Sequence, residues 1–109
     1  MPWLLRDGEV LASLEVAEAM GDRLKGLLGR DRIDGALLLR PARSVHTIGM
    51  RFGIDVAFCD RELVVLRTVT VPRNRMTRPV LRGRAVIEAE AGAFARWGLR
   101  AGDQLEIKE

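Results

Sequence analysis

Short apolar runs separated by turn residues dominate the chain from its first residues. Trp3 to Leu5 and Val10 to Leu14 flank Arg6-Asp7-Gly8-Glu9, and Asp-Gly between two such runs predicts a tight β-hairpin. The period then changes. Ala17, Met20, Leu24, Leu27 and Leu28 recur at helical spacing, with Glu18, Asp22, Arg23 and Lys25 on the opposite side. That pattern predicts one amphipathic helix over about 17–28, with Gly29 as its stop. Gly21 and Gly26 each weaken it by about 1 kcal/mol relative to alanine, so this helix has to rely on packing.

Strand signals return after Gly35. Ala36 to Leu39 reads as a short strand ended by Pro41, whereas Ser44 to Met50 is ambiguous. Ile54 to Cys59 is apolar on both faces, as expected of a central strand covered on two sides. Leu63 to Val71 is long and β-branched, and Asp60-Arg61-Glu62 turns the chain so that the two strands pair. Pro72 to Arg84 carries two prolines, a glycine and five arginines and reads as loop. Ala85 to Ala91 alternates, which puts Ile87, Ala89 and Ala91 on one face and Glu88 and Glu90 on the other. Ala93 to Trp97 is one short helical turn closed by Gly98, and Gln104 to Ile107 is a last strand. The sum is an α+β fold: a small, mostly antiparallel, barrel-like or sandwich-like sheet of six to seven short strands, one main helix and one helical turn.

Length and composition narrow this further. The 109 residues make one domain, 1–109, with no linker, repeat or low-complexity tract. Apolar residues at 48% and charged residues at 30% are ordinary for a folded globular chain. Cys59 is the only cysteine, so no internal disulfide and no thiolate zinc site can form. The apolar start is too short for a signal peptide, and no stretch approaches the roughly 20 apolar residues of a membrane span. A cytoplasmic protein without a membrane association, and a monomer, is the expectation. The net charge of +3 is uneven: Arg61, Arg67, Arg73, Arg75, Arg78, Arg82 and Arg84 face Glu62 alone over one stretch.

Four blocks resemble those of the DUF192 family, a domain of unknown function. Arg23-Leu24-Lys25-Gly26-Leu27-Leu28-Gly29-Arg30 is similar to the end of the family's helix. His46-Thr47-Ile48-Gly49-Met50-Arg51-Phe52-Gly53-Ile54-Asp55-Val56-Ala57-Phe58 resembles its central motif, and 86–92 and 98–105 resemble its C-terminal blocks. The likeness runs in order through roughly residues 12–107. Gly53 departs from it, standing where the family usually carries a proline that would fix φ. The resemblance implies a compact α+β fold around a small curved sheet, and no activity.

Chemistry concentrates in two places. His46, Thr47, Met50, Arg51 and Asp55 lie within ten residues, and His46 is the only histidine. His46 and Asp55 are the candidate catalytic pair, a base with its orienter, if the chain bends at Gly53. No nucleophile signature accompanies them. The competing structural reading has the histidine satisfied at a strand end and Asp55 capping a turn. A soft-metal set of His46, Met50 and Cys59 has the right ligand types but no spacing motif, so no metal and no cofactor is expected. The second place is the arginine loop. Arg73, Arg75, Arg78, Arg82 and Arg84 could grip phosphates or carboxylates. Nucleic acid would also require stacking aromatics, and none lies between Phe58 and Phe94. The favoured function is therefore a non-catalytic binding module for a peptide, an anionic small molecule or a partner protein, with its site at His46 to Asp55. A small hydrolase using His46 with Asp55 or Arg51 is the alternative, and nucleic-acid binding through the loop is third.

Overall fold

Seven strands in one mixed sheet form the body of the computed structural model, which describes residues 1–17, 27 and 29–109. The strands are β1 (Trp3–Arg6), β2 (Glu9–Ala17), β3 (Ala36–Leu39), β4 (Ile54–Cys59), β5 (Val65–Val71), β6 (Ala85–Glu90) and β7 (Leu105–Lys108). One short helix, α1 (Ala93–Trp97), precedes β7. The order across the sheet is β5-β4-β6-β3-β2-β1-β7. Every pairing is antiparallel except β2 with β3. The main helix expected over about 17–28 lies almost wholly outside the described residues. Its expected first residue, Ala17, is instead the last of β2, and Leu27 is buried.

The local reasons follow from the sequence. Asp7 and Gly8 both take positive φ (52° and 79°), the geometry a two-residue hairpin turn demands, and they join β1 to β2. Asp60 builds the β4–β5 turn by accepting the N–H groups of Glu62 (2.9 Å) and Val64 (3.0 Å) on one carboxylate oxygen. A bulge opposite Cys59 follows in β5. Gly98 closes α1 in the left-handed region (φ 65°), and Arg6 reaches over to bond the carbonyls of Trp97 (2.6 Å) and Gly98 (3.2 Å). Arg6 also bonds Asp103 (3.1 Å), which accepts the Arg100 N–H at 3.0 Å; these contacts hold the Asp103 carboxyl below its usual range.

Alternation divides the core in two. Ile54, Val56 and Phe58 of β4 point to one face, where Leu37, Leu39, Met50 and Val86 complete a buried cluster. Ala57 and Cys59 point to the other, with Leu4, Leu38, Ile87 and Phe94. The strands β3, β4 and β6 are thus covered on both sides, as the apolar run of β4 predicted. β6 keeps the alternation read from its sequence, with Ile87 and Ala89 on one face and Glu88 on the other. Glu88 does not face solvent: it is fully buried and partnered, on the same face as Val86, between Leu37 and Val56 of the flanking strands. Centrality buries that glutamate, because a strand flanked on both edges and covered on both faces has no wet side.

The sheet does not close into a barrel, which corrects the barrel-like expectation. Its two edges touch at one end only, through a bridge between Val64 and Gln104 supported by Val65 N–H to Asp103 O (2.8 Å) and Leu105 N–H to Leu63 O (3.0 Å). No helix among the described residues is long and apolar enough to cross a membrane.

Candidate functional site

The segment from His46 to Asp55 does not converge on one site. Thr47 is fully buried and staples two loops together. Its hydroxyl donates to Pro72 O (2.6 Å) and accepts the Arg75 N–H (3.0 Å), its own N–H donates to Arg75 O (2.8 Å), and its carbonyl accepts the Asn74 N–H (3.1 Å). Thr77 adds its N–H to Val45 O (2.9 Å) and its hydroxyl accepts the Val45 N–H (3.0 Å). Asn74, in the left-handed region, accepts the Gly49 N–H at 3.1 Å. The arginine-rich segment is consequently docked on Val45 to Gly49 by main-chain and hydroxyl bonds.

His46 is half-buried and bridges Met76, and its Nδ1 accepts the Ile48 N–H at 3.3 Å. Met50 is buried in the cluster on the Val56 face. Arg51 is exposed and pairs with the exposed Asp31 at 3.4 Å, a contact worth about 0–1 kcal/mol. Asp55 is buried on the opposite face. One of its oxygens accepts the Thr70 hydroxyl (2.6 Å), and the other accepts the N–H groups of Gly92 (3.0 Å) and Phe94 (3.1 Å) at the start of α1. The structure therefore does not form the expected His46–Asp55 pair. Asp55 is a brace between β4, β5 and α1, and the capping alternative describes it. The soft-metal set is not gathered either, since Met50 and Cys59 lie in clusters on opposite faces. Cys59 is fully buried; burial, with Asp60 beside it, pushes its thiol up to about 12.

The arginines of the loop diverge as well. Arg73 and Arg82 are exposed, and Arg84 joins Arg40 and Arg61 around a separate hollow beside Pro41. Arg75 and Arg78 face a groove of ≈ 310 Å³ between the loop and β5. Its floor is Phe58, Val69, Val71 and Val80, and Arg67 of β5 completes the basic rim. Among the described residues none of these three arginines is paired with a carboxylate. An apolar floor with guanidinium groups on its rim suits a ligand that is part apolar and part anionic. Sequence reasoning found Arg75 and Arg78 but missed Arg67 and the floor. The available signal was Arg67 in an apolar strand, at even spacing with Val69 and Val71, which puts all three on one face.

Comparison with known proteins bears on family and fold. The model of DUF192, described as "Uncharacterized ACR", matches residues 4–107. A protein of unknown function from Novosphingobium aromaticivorans DSM 12444 superposes with a TM-score of 0.76 at 17% identity, over 96% of this chain and 82% of that one. A protein from Sinorhizobium meliloti 1021, described as a "putative transcription regulator", superposes with a TM-score of 0.74 at 22% identity, over 96% and 90%. At these identities the likeness is one of fold. No curated protein matches the chain.

Proposed function

Because the chain belongs to the DUF192 family, whose description carries no activity, we propose its function from its own surface: a non-catalytic binding module for an anionic, partly apolar ligand. The groove between β5 and the 72–80 segment is the site, and His46 to Gly49 is the platform that holds one of its walls. The observation that carries this reading is the placement of Arg67, Arg75 and Arg78 around Phe58, Val69, Val71 and Val80. The Thr47 bonds support it further, because a docked loop spares a ligand the entropy of ordering its own site.

Phenylacetate and phenylacetamide, equal in size and different in charge, test it. Calorimetric titration of the wild type should favour the carboxylate by roughly tenfold, as two charge-assisted bonds would give. That preference should disappear in Arg75→Glu/Arg78→Glu. Equal affinity for the two probes, or a preference that survives both substitutions, would refute the reading.

A further inference from the structure

The groove's inner boundary is not a loop but the free edge of a sheet. β5 is the terminal strand, and only its beginning is covered: Val65 donates to Asp103 O and accepts the Gly102 N–H, both at 2.8 Å. From Leu66 to Val71 no backbone group on the outer side has a partner among the described residues. Such an edge is a template for another strand, and folded proteins ordinarily blunt it with charged side chains, proline, a bulge or a covering segment. Blunting here is confined to the start of the edge, at the bulge that leaves Leu66 out of register and at Arg67; residues 68–71, Thr-Val-Thr-Val, hold no charge and no proline, and all four are β-branched.

A second observation concerns what lies on each side of that edge. The ≈ 310 Å³ groove opens on the face of Arg67 and Val69. On the other face a hollow of ≈ 410 Å³ is lined by Thr68, Thr70, Phe94, Leu99 and Arg100. Val69 and Thr70 border both. A strand laid along β5 would drop alternate side chains into the two hollows, which is how sheet-edge recognition obtains specificity from an extended chain. The charge around them has one sign. Arg67, Arg75 and Arg78 stand on one side and Arg100 on the other, and among the described residues the only carboxylate lining either hollow is Asp55, already bonded to Thr70, Gly92 and Phe94.

We infer that β5 receives an extended acidic peptide segment of a partner protein as an added strand of roughly five or six residues, a length typical of strands. The inference rests on the groove being the binding site and specifies its occupant. A second copy of this chain is a poorer match, because pairing two β5 edges would bring the Arg67, Arg75 and Arg78 groups of both copies together.

The test uses a fluorescent hexapeptide of alternating glutamate and valine, blocked at both ends, titrated by anisotropy at fixed salt. Three results are expected. A lysine–valine counterpart should not bind. Arg67→Glu/Arg78→Glu, at exposed positions, should weaken the acidic peptide about tenfold or more. N-methylation at alternate residues, made in both phases, should weaken at least one of the two products about tenfold, because it removes main-chain donors and keeps every charge. Saturating peptide should also slow hydrogen exchange within Leu66–Val71. Thermal melting of the variant confirms that it is folded.

Equal binding of both N-methylated peptides, with unchanged exchange, overturns strand addition. If the peptide does not bind while phenylacetate retains its charge preference, the inference fails and the groove stands. If neither binds, both fail. A peptide-free dimer that Arg67→Glu/Arg78→Glu strengthens would overturn it in favour of a second copy. Tighter binding of a thymidine hexanucleotide, falling steeply with salt, would overturn it in favour of nucleic acid.

Discussion

Replacing Asp55 by asparagine separates a structural carboxylate from a catalytic one. The wild-type side chain accepts three hydrogen bonds, from the Thr70 hydroxyl and the Gly92 and Phe94 N–H groups, in a site that is 4% exposed. Asparagine has nearly the same shape but one acceptor oxygen. Whichever way the amide turns, its NH₂ faces at least one donor. If the oxygen stays toward Gly92 and Phe94, the Thr70 hydroxyl can rotate to accept, and only charge assistance is lost. If it turns toward Thr70, two buried N–H groups lose their acceptor. Hydrogen bonds to a charged group contribute about 1.5–3 kcal/mol each, so Asp55→Asn should cost about 2–4 kcal/mol, the first orientation giving the lower end. Asp55→Ala removes every acceptor and should cost about 3–5 kcal/mol. Urea denaturation followed by tryptophan fluorescence reads this directly, since Trp97 belongs to the helix that Asp55 braces. Thr70→Val should cost less and should be non-additive with Asp55→Asn, because the two share a bond. An Asp55→Asn variant within about 0.5 kcal/mol of wild type, with an unchanged denaturant slope, would refute the bracing role.

Three further outcomes follow from the same contacts. Thr47→Val should lose about 1–2 kcal/mol by leaving the part-buried Arg75 N–H without its acceptor, and should abolish the phenylacetate preference; a variant that binds normally would detach Thr47 from the site. Cys59 should resist a thiol-reactive dye in the native state and react fully in denaturant. With its folded pKa raised from 9.0 to about 12, the native state keeps a proton that the unfolded state releases, so stability falls as pH climbs above 9.0, and Cys59→Ala should show less of that loss. A Cβ at Gly53 would sit 3.0 Å from Val71 O and 3.2 Å from Pro72 Cα, so Gly53→Ala should destabilise by about 1–2 kcal/mol, measured by thermal melting; a neutral result would mean that the end of β5 yields freely.

Much of the sheet was legible because local rules and tertiary placement agreed. The Asp7-Gly8 turn, the doubly covered β4, the β4–β5 hairpin and the turn of α1 closed by Gly98 all follow from short-range chemistry. Position in the sheet was not legible. Nothing local says that β3 pairs parallel with β2 and antiparallel with β6, and nothing local shows that Glu88 is buried, because its strand's centrality is a long-range property. The candidate residues were legible one by one, and their arrangement in space was not. The central motif held His46 and Asp55 close in sequence, but the chain turns Asp55 toward α1 and the other face of the sheet. Arg75 and Arg78 read only as part of a loop because Thr47, far away in sequence, is what docks that loop. Gly53 shows the same dependence: its closeness to Val71 and Pro72 gives a reason for glycine that only the fold supplies.

The location of a bound anion decides the central claim. Methyl and amide NMR spectra recorded while phenylacetate is added should show the largest shifts at Val69, Val71 and Val80, with the amides of Arg75 to Arg78 following. The methyl groups of Ala95 and Leu99, which line only the hollow on the Asp55 face, should move little. Shifts centred on the Asp55 face, or spread evenly over the surface, would contradict the assignment of the β5 groove as the binding site.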